Sequence, residues 1–400
     1  MEEFKTYKLG DLVNVNTEQY NSKDNWKKAL YLDTGNITEN RIDEIQEFEC
    51  SALPSRARRK VKHGDIVFST VRPNQKHYGY IVNPASNLLV STGFAVLSAK
   101  HHIADSKFLY YWLSQNEIID YLHNIAEQSV SAYPSIKASD ICDLDIELPS
   151  LEYQSKVASI LSSIDDKIQL NRRINDNLEQ QAQALFKSWF VDFEPFNDGE
   201  FIESELGMIP KGWRILCFKD FISPSSEKTG LENIPEYSVT NTGIIPRDSK
   251  FKKQLSKSTS KNKILRKNNL VFGMSREILN WGIMEDSIGG VSSAYNVYII
   301  NEQLVNPIYL RYYMSANIDY FKDLIGTAAR EGQALDKGAL AQKLIILPPD
   351  DVLENFLVKD CLFKEKIHKC NSELLNLTDM RDSLLPKLMS GELKINDLNC

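Results

Sequence analysis

Between Ser162 and Phe190 the chain reads SSIDDKIQLNRRINDNLEQQAQALFKSWF, with neither proline nor glycine. Apolar residues recur at Val157, Ile160, Leu161, Ile164, Ile168, Ile174, Leu178, Ala182, Leu185 and Trp189. Steps of three and four mark one face of a long amphipathic helix. Glu152, Lys156, Asp166, Arg173 and Glu179 keep its far side polar. A second stripe runs through Leu353, Leu357, Leu362, Ile367, Leu374, Leu377, Leu384, Leu385 and Leu388. Two such stripes can cover each other as a coiled coil. The first helix leads from the first half of the chain to the second, so a returning partner runs antiparallel. The alternative is a pair of separate core helices.

The regions before each helix repeat one plan at an offset near 200 residues. DIVFST at 65–70 answers NLVFGM at 269–274, and GFAVLS at 93–98 answers AYNVYI at 294–299. FLYYWLSQN from Phe108 answers YLRYYMSAN from Tyr309. DICDLDIELPS from Asp140 answers ALAQKLIILPP from Ala339, and YKLGDLV from Tyr7 answers LCFKDFI from Leu216. A period this long means a duplicated module, not a solenoid. Each module opens with short β-branched and aromatic runs, which predict strands. A helix is expected over 105–126, capped by Asp105 or Ser106, and another over 306–325 with Pro307 in its first turn. A polar loop, a short strand and the long helix follow. The predicted fold class is mixed α/β (α+β): two globular modules, 1–150 and 204–348, joined by helical arms over 151–203 and 349–400. The arms pack as an antiparallel coiled coil and relate the modules by a pseudo-two-fold.

Composition changes this picture little. The chain has 400 residues, 42% hydrophobic and 25% charged, ordinary for a soluble globular protein of two or three domains. No apolar run is long enough to span a bilayer, and MEEFKTYKLGDLV has no targeting character, so a cytoplasmic location is expected. The six cysteines, at 50, 142, 217, 361, 370 and 400, include no C-x-x-C, and His101-His102 is the lone histidine pair. No metal site, cofactor or catalytic residue is predicted. There is no Walker-type loop, and IGG at 288–290 is too little for a nucleotide turn. An E-x-K in GELK, at 391–394, has no acid placed before it.

Charge is more telling. The net charge is −7, yet 247–276 holds ten basic residues against Asp248 alone, and 56–76 holds seven against Asp65. Two basic islands at equivalent places on an acidic chain point to two nucleic-acid contacts.

At this point the sequence resembles the specificity (S) subunit of type I restriction-modification systems. The resemblance rests on LPSLEYQSKVASILSSIDDKIQLNRRINDNLEQQAQALFKSWFVDF, on GMIPKGW opening the second half and on LLPKLMSGELKI near the end. It spans essentially the whole chain. It implies two target recognition domains, each reading one half of a split site in double-stranded DNA. It also implies that the arms dock two methyltransferase (M) subunits, and that restriction/translocase (R) subunits join through the core formed by two M subunits and one S subunit. The S subunit itself is non-catalytic.

Candidate DNA contacts follow from base-edge chemistry, in which Arg suits guanine O6 and N7 and Asn or Gln suits adenine N6 and N7. In the first module these are Arg72, Asn74, Gln75 and Tyr78, with Arg58, Arg59, Lys60 and Lys76 for phosphates. In the second they are Ser275, Arg276 and Glu277, with Lys253 and Lys263. The polar loops add Ser131, Tyr133, Arg330 and Gln333. Ile160, Ile164, Ile168, Leu178, Leu185, Trp189, Ile367, Leu374 and Leu384 are expected to form the coiled coil and its docking face, with the aromatics of FKSWFVDFEPF, 186–196, as a further docking candidate. The arm is expected to act as a ruler, because four added residues lengthen a helix by ~6 Å, roughly two base pairs. The rival reading is a single-chain, pseudo-dimeric DNA-binding regulator or scaffold without a methyltransferase.

Overall fold

The computed structural model describes residues 3–128, 133–230, 234–247, 259–274, 278–325 and 335–393. The chain forms two compact units, 1–173 with 370–400, and 174–369.

The first unit is built on an antiparallel sheet ordered Val13–Val15, Phe94–Ala99, Ile66–Ser69, Tyr78–Tyr80. Successive residues of a strand point to opposite faces, so a strand covered on both sides must be apolar throughout. IVFS is such a strand: all four residues are buried. Ile66 and Phe68 face a core shared with helices, while Val67 joins Leu32, Val90, Phe94 and Val96 on the other side. The second face is covered by a sheet ordered Gln46–Glu49, Lys28–Leu32, Leu88–Ser91, Ala57–Lys60, with one parallel pair inside it. Lys5–Lys8 pairs with Asp145–Leu148 beside the short helices α1 (Leu9–Leu12) and α4 (Ala138–Cys142).

The expected helix over 105–126 is two helices. α2 (Ser106–Leu113) is capped by Asp105, whose carboxylate accepts from Phe108 N–H at 3.0 Å. α3 (Asn116–Glu127) follows after a break. Ser114 Oγ donates to the Tyr111 carbonyl and Gln115 Nε2 to the Trp112 carbonyl, so side chains take acceptors that close the helix end.

The second unit repeats this plan. Its sheet is ordered Ile222–Ser225, Asn296–Ile300, Leu270–Phe272, Trp281–Ile283. Leu270 and Phe272 face the helices, and Val271 faces Tyr237, Leu265 and Val291. Arg214–Cys217 pairs with Leu344–Leu347 beside α6 (Phe218–Phe221) and α8 (Lys337–Gln342). α7 (Pro307–Ala316) has Asn306 as its cap and Pro307 at its first position. Here too the expected helix is shorter: after Asn317 the chain continues as 3-10 turns over Ile318–Leu324. One turn is locked identically in both units. Asp65 accepts from Lys62 N–H at 2.8 Å and Asn269 from Arg266 N–H at 2.9 Å, each fixing the entry to its central strand.

Both long helices are continuous over 40 residues, α5 (Leu151–Phe190) and α9 (Asp350–Met389). α5 starts just after Pro149, with Ser150 accepting from Gln154 N–H, and Gly391 at φ +70° follows the end of α9. Within the first unit they run antiparallel: Tyr153 reaches the Leu388 carbonyl, Asp165 meets Arg381 and Asn171 meets Glu373. Within the second, Trp189 lies under Lys359, and Phe186 and Phe190 pack on Phe356. The buried face of α5 includes Asn171, which donates to Glu373 of α9, among its apolar residues. Polar residues in such a seam fix register. Among the described residues, no helix is long and apolar enough to cross a membrane.

Candidate nucleic-acid interface

In the first unit, the segment 69–76 leaves the central strand and turns back into Tyr78–Tyr80. Its backbone is tied at nearly every residue. Thr70 Oγ1 donates to the Gly93 carbonyl at 2.9 Å, and Ile136 N–H to the Thr70 carbonyl at 2.9 Å. Val71 bridges to Ser135, and Arg72 N–H donates to the Pro134 carbonyl at 2.9 Å. Pro73 is buried and opens a 3-10 turn, Pro73–Gln75, that packs on α3. Arg72 and Lys76 flank this turn at φ 49° and 55°. A non-glycine residue held there costs roughly 1–3 kcal/mol, sustained only by well-made surroundings.

The side chains of this island have sorted themselves. The Arg72 guanidinium lies over the Tyr133 ring, 4.9 Å from its centroid. Asn74 and Gln75 are exposed, with Gln75 Oε1 3.2 Å from His77 Nε2. Lys76 is ion-paired with Glu39 at 2.9 Å. On the strand Ala57–Lys60, Arg58 is exposed, while Lys60 pairs with Asp24 and sits over Trp26. The Lys60 bond and a backbone N–H at Asn21 hold the Asp24 carboxyl below its ordinary range. Arg59 turns inward: burial pulls its pKa down, and its Nη1 has no acceptor among the described residues. Tyr78 leaves the group altogether. It is 6% exposed and its ring stacks on Phe68, because strand alternation points it into the helix-facing core.

In the second unit, Lys263 is half-buried, and its ammonium donates to the Tyr295 carbonyl at 2.6 Å. Burial and nearby Lys337 lower its pKa. Ser131, Lys253, Ser275, Arg276, Glu277, Arg330 and Gln333 lie outside the described residues. The described part of this unit has a cleft of about 630 Å³ lined by Asn241, Thr242, Trp281, Asp286 and Arg311. Among the described residues, no group of His, Cys, Asp or Glu is arranged to hold a metal ion.

On the long helices, Ile164, Ile168 and Leu178 are buried, and Ile160, Leu185, Trp189, Ile367, Leu374 and Leu384 are half-buried. Leu362, predicted in the stripe of the second arm, is instead 54% exposed; Phe356 and Asp360 take the buried face there. Phe186 and Phe190 do not form a docking face. Both are 1% exposed and lie in an aromatic cluster with Trp213, Tyr309 and Phe356.

Sequence reading missed a pair of polar clamps between each module and its long helix. In the first unit, Tyr111 Oη donates to Asp165 at 2.7 Å, and Arg381 Nη1 donates to the same carboxylate at 3.1 Å. Burial opposes the charge on Arg381, but Asp165 and Asp382 outweigh it and raise its pKa. Burial and Asp165 together push the Tyr111 hydroxyl far up. In the second unit, Tyr312, the repeat equivalent of Tyr111, donates to Asp360 at 2.6 Å, and Asp360 pairs with Lys364. The neighbouring Tyr313 is pushed up to about 12 by burial. The signal available in the sequence was the Tyr repeated at 111 and 312.

Residues 1–180 match the model of the type I restriction modification DNA specificity domain. The chain is 29% identical over 385 residues to the type I restriction enzyme MjaIX specificity subunit of Methanocaldococcus jannaschii, covering 92% of this chain and 84% of that one. The chain is similar to type I restriction enzyme specificity subunits. A second relative, the HindI specificity subunit of Haemophilus influenzae, is 36% identical over 195 residues, 49% of this chain. The chain spans 42% of the length of that subunit. A solved type I restriction-modification S subunit from M. genitalium aligns with 97% of this chain and 96% of its own, at 14% identity and a TM-score of 0.49.

Proposed function

We propose that this chain is the DNA sequence-specificity subunit of a cytoplasmic type I restriction-modification complex. Two recognition domains, 1–150 and 204–348, each read one half of a bipartite site in double-stranded DNA. The chain is non-catalytic: it supplies the address, and two methyltransferase subunits supply the reaction. Restriction/translocase subunits join through that core. The long helices set the distance between half-sites and dock the methyltransferases.

The observation that carries this reading is the match to a specificity subunit over 385 residues, 92% of this chain. The geometry supports it. Each helix of 40 residues extends about 60 Å. The face of α9 also leaves Val358, Leu362, Leu375 and Met380 exposed, apolar surface available to a partner.

The test is modification mapping. The chain is expressed with its cognate methyltransferase in a host free of adenine methylation, and the genome is sequenced for modified adenines. One split motif that requires this chain is the expected result. Association with the methyltransferase but no motif would overturn the reading.

A further inference from the structure

We infer that Arg72 reads a guanine in the half-site recognised by the first unit, with Tyr133 holding its guanidinium for that contact. This rests on the DNA-reading role proposed above and specifies one base of it.

The argument is one of availability and pre-organisation. Three cations of this island already have work within the fold. Lys60 is bound to Asp24, Lys76 to Glu39, and Arg59 is folded into the sheet. Arg56, Arg58 and Lys62 are exposed, suited to phosphates, which attract charge without needing a fixed orientation. Arg72 differs. Its guanidinium lies on the Tyr133 ring, and it has no carboxylate or other acceptor among the described residues. A ring contact of this kind takes up none of the guanidinium N–H donors. The guanidinium edge is a fork of parallel N–H donors, the shape that matches guanine O6 and N7 in the major groove.

The backbone is prepared in the same sense. Arg72 sits at φ 49°, its N–H is committed to the Pro134 carbonyl, and its successor Pro73 is buried. The segment that carries Tyr133 is thereby tied to the segment that carries Arg72, through Val71–Ser135 and Ile136 to Thr70. An unusual backbone conformation held by so many bonds, on a turn packed against a helix, fixes the place from which the side chain starts. The ring then fixes where the guanidinium lies. Ordering both before DNA arrives removes a cost otherwise met on binding.

The test uses the full chain with its cognate methyltransferase and the mapping experiment above, for wild type, Arg72→Ala, Arg72→Lys, Tyr133→Ala and Tyr133→Phe. Arg72→Ala is expected to turn one guanine of one half-motif into an unread position, with discrimination there falling about 10- to 100-fold. The other half-motif stays intact, which reports that the variant folds and assembles. Arg72→Lys keeps the charge but not the fork, and is expected to relax the same position. Tyr133→Ala relaxes it several-fold, whereas Tyr133→Phe keeps a ring and leaves the motif unchanged. An unaltered motif in Arg72→Lys and Arg72→Ala overturns the inference. So does a uniform loss of methylation in Arg72→Lys with no position relaxed, which marks a phosphate contact. If Arg72→Ala directs no methylation at all, Arg72→Lys decides between these outcomes. A wild-type chain that directs no motif overturns the DNA-reading role and this inference with it.

Discussion

The two units share both sheets, and the second unit holds one of them more loosely. The sheet Val13–Val15, Phe94–Ala99, Ile66–Ser69, Tyr78–Tyr80 has its counterpart strand for strand in the second unit, in the same order. The sheet that covers its far face keeps its strand order but not the extent of its pairing. In the first unit it is one four-stranded sheet containing a parallel pair. In the second unit two antiparallel pairs, Tyr237–Thr240 with Gly243–Pro246 and Lys263–Arg266 with Ile288–Val291, are joined by an isolated parallel bridge between Glu236 and Gly290. After duplication the layer that packs on helices keeps its full pairing, and the outer layer is looser at its parallel seam.

The clamps differ more, at the level of single residues. The tyrosine is kept at 111 and 312, but its acid and cation have moved. In the first unit the cation comes from the other long helix, since Asp165 is on α5 and Arg381 on α9. In the second unit Asp360 and Lys364 are one turn apart on α9. The first clamp therefore ties three elements together and the second ties two.

Several substitutions sharpen this comparison, in decreasing order of effect. Phe356→Ala removes a fully buried ring from contact with Phe186, Phe190 and Tyr312, and should cost the second unit about 3–5 kcal/mol. Hydrogen exchange resolved by unit is the measurement, with protection lost over 174–369 first; equal loss in both units would show that they unfold together. Arg381→Ala leaves Asp165 largely buried without its cation and should destabilise the first unit by about 3 kcal/mol. Tyr111→Phe and Tyr312→Phe should each lose about 1.5 kcal/mol, the worth of a hydrogen bond to a charged acceptor. A neutral Tyr312→Phe would show that its carboxylate is satisfied by Lys364 alone. Lys364→Ala, whose side chain is 40% exposed, should cost under about 1 kcal/mol in urea denaturation. Losses as large as those of Arg381→Ala would mean that the two clamps are not different devices.

Much of this frame was legible in the sequence. The duplication, both long helices and the Asp105 cap follow from apolar spacing and from side chains that suit helix ends. Leu270–Phe272 and Ile66–Ser69 were readable as buried strands because every residue is apolar or small. The breaks after Leu113 and Ala316 were not, since Ser114, Gln115 and Asn317 end a helix only through the hydrogen bonds they happen to make. Tyr78 and Lys263 show the limit for sites: a residue type suited to DNA does not state which face of a strand it occupies. The Arg381–Asp165 pair joins residues 216 positions apart, and no local pattern carries that distance.

The first unit is also the one whose chain is not continuous. Its core includes Leu385, Leu388 and Met389, which belong to the last turns of α9. The second unit, 174–369, is a single stretch. On the ribosome, residues 1–173 thus wait for the last turns of α9, while the unit between them already has all its parts. The unit that starts earlier is completed later, and an apolar patch beside Tyr153 and Val157 stays uncovered until those turns emerge.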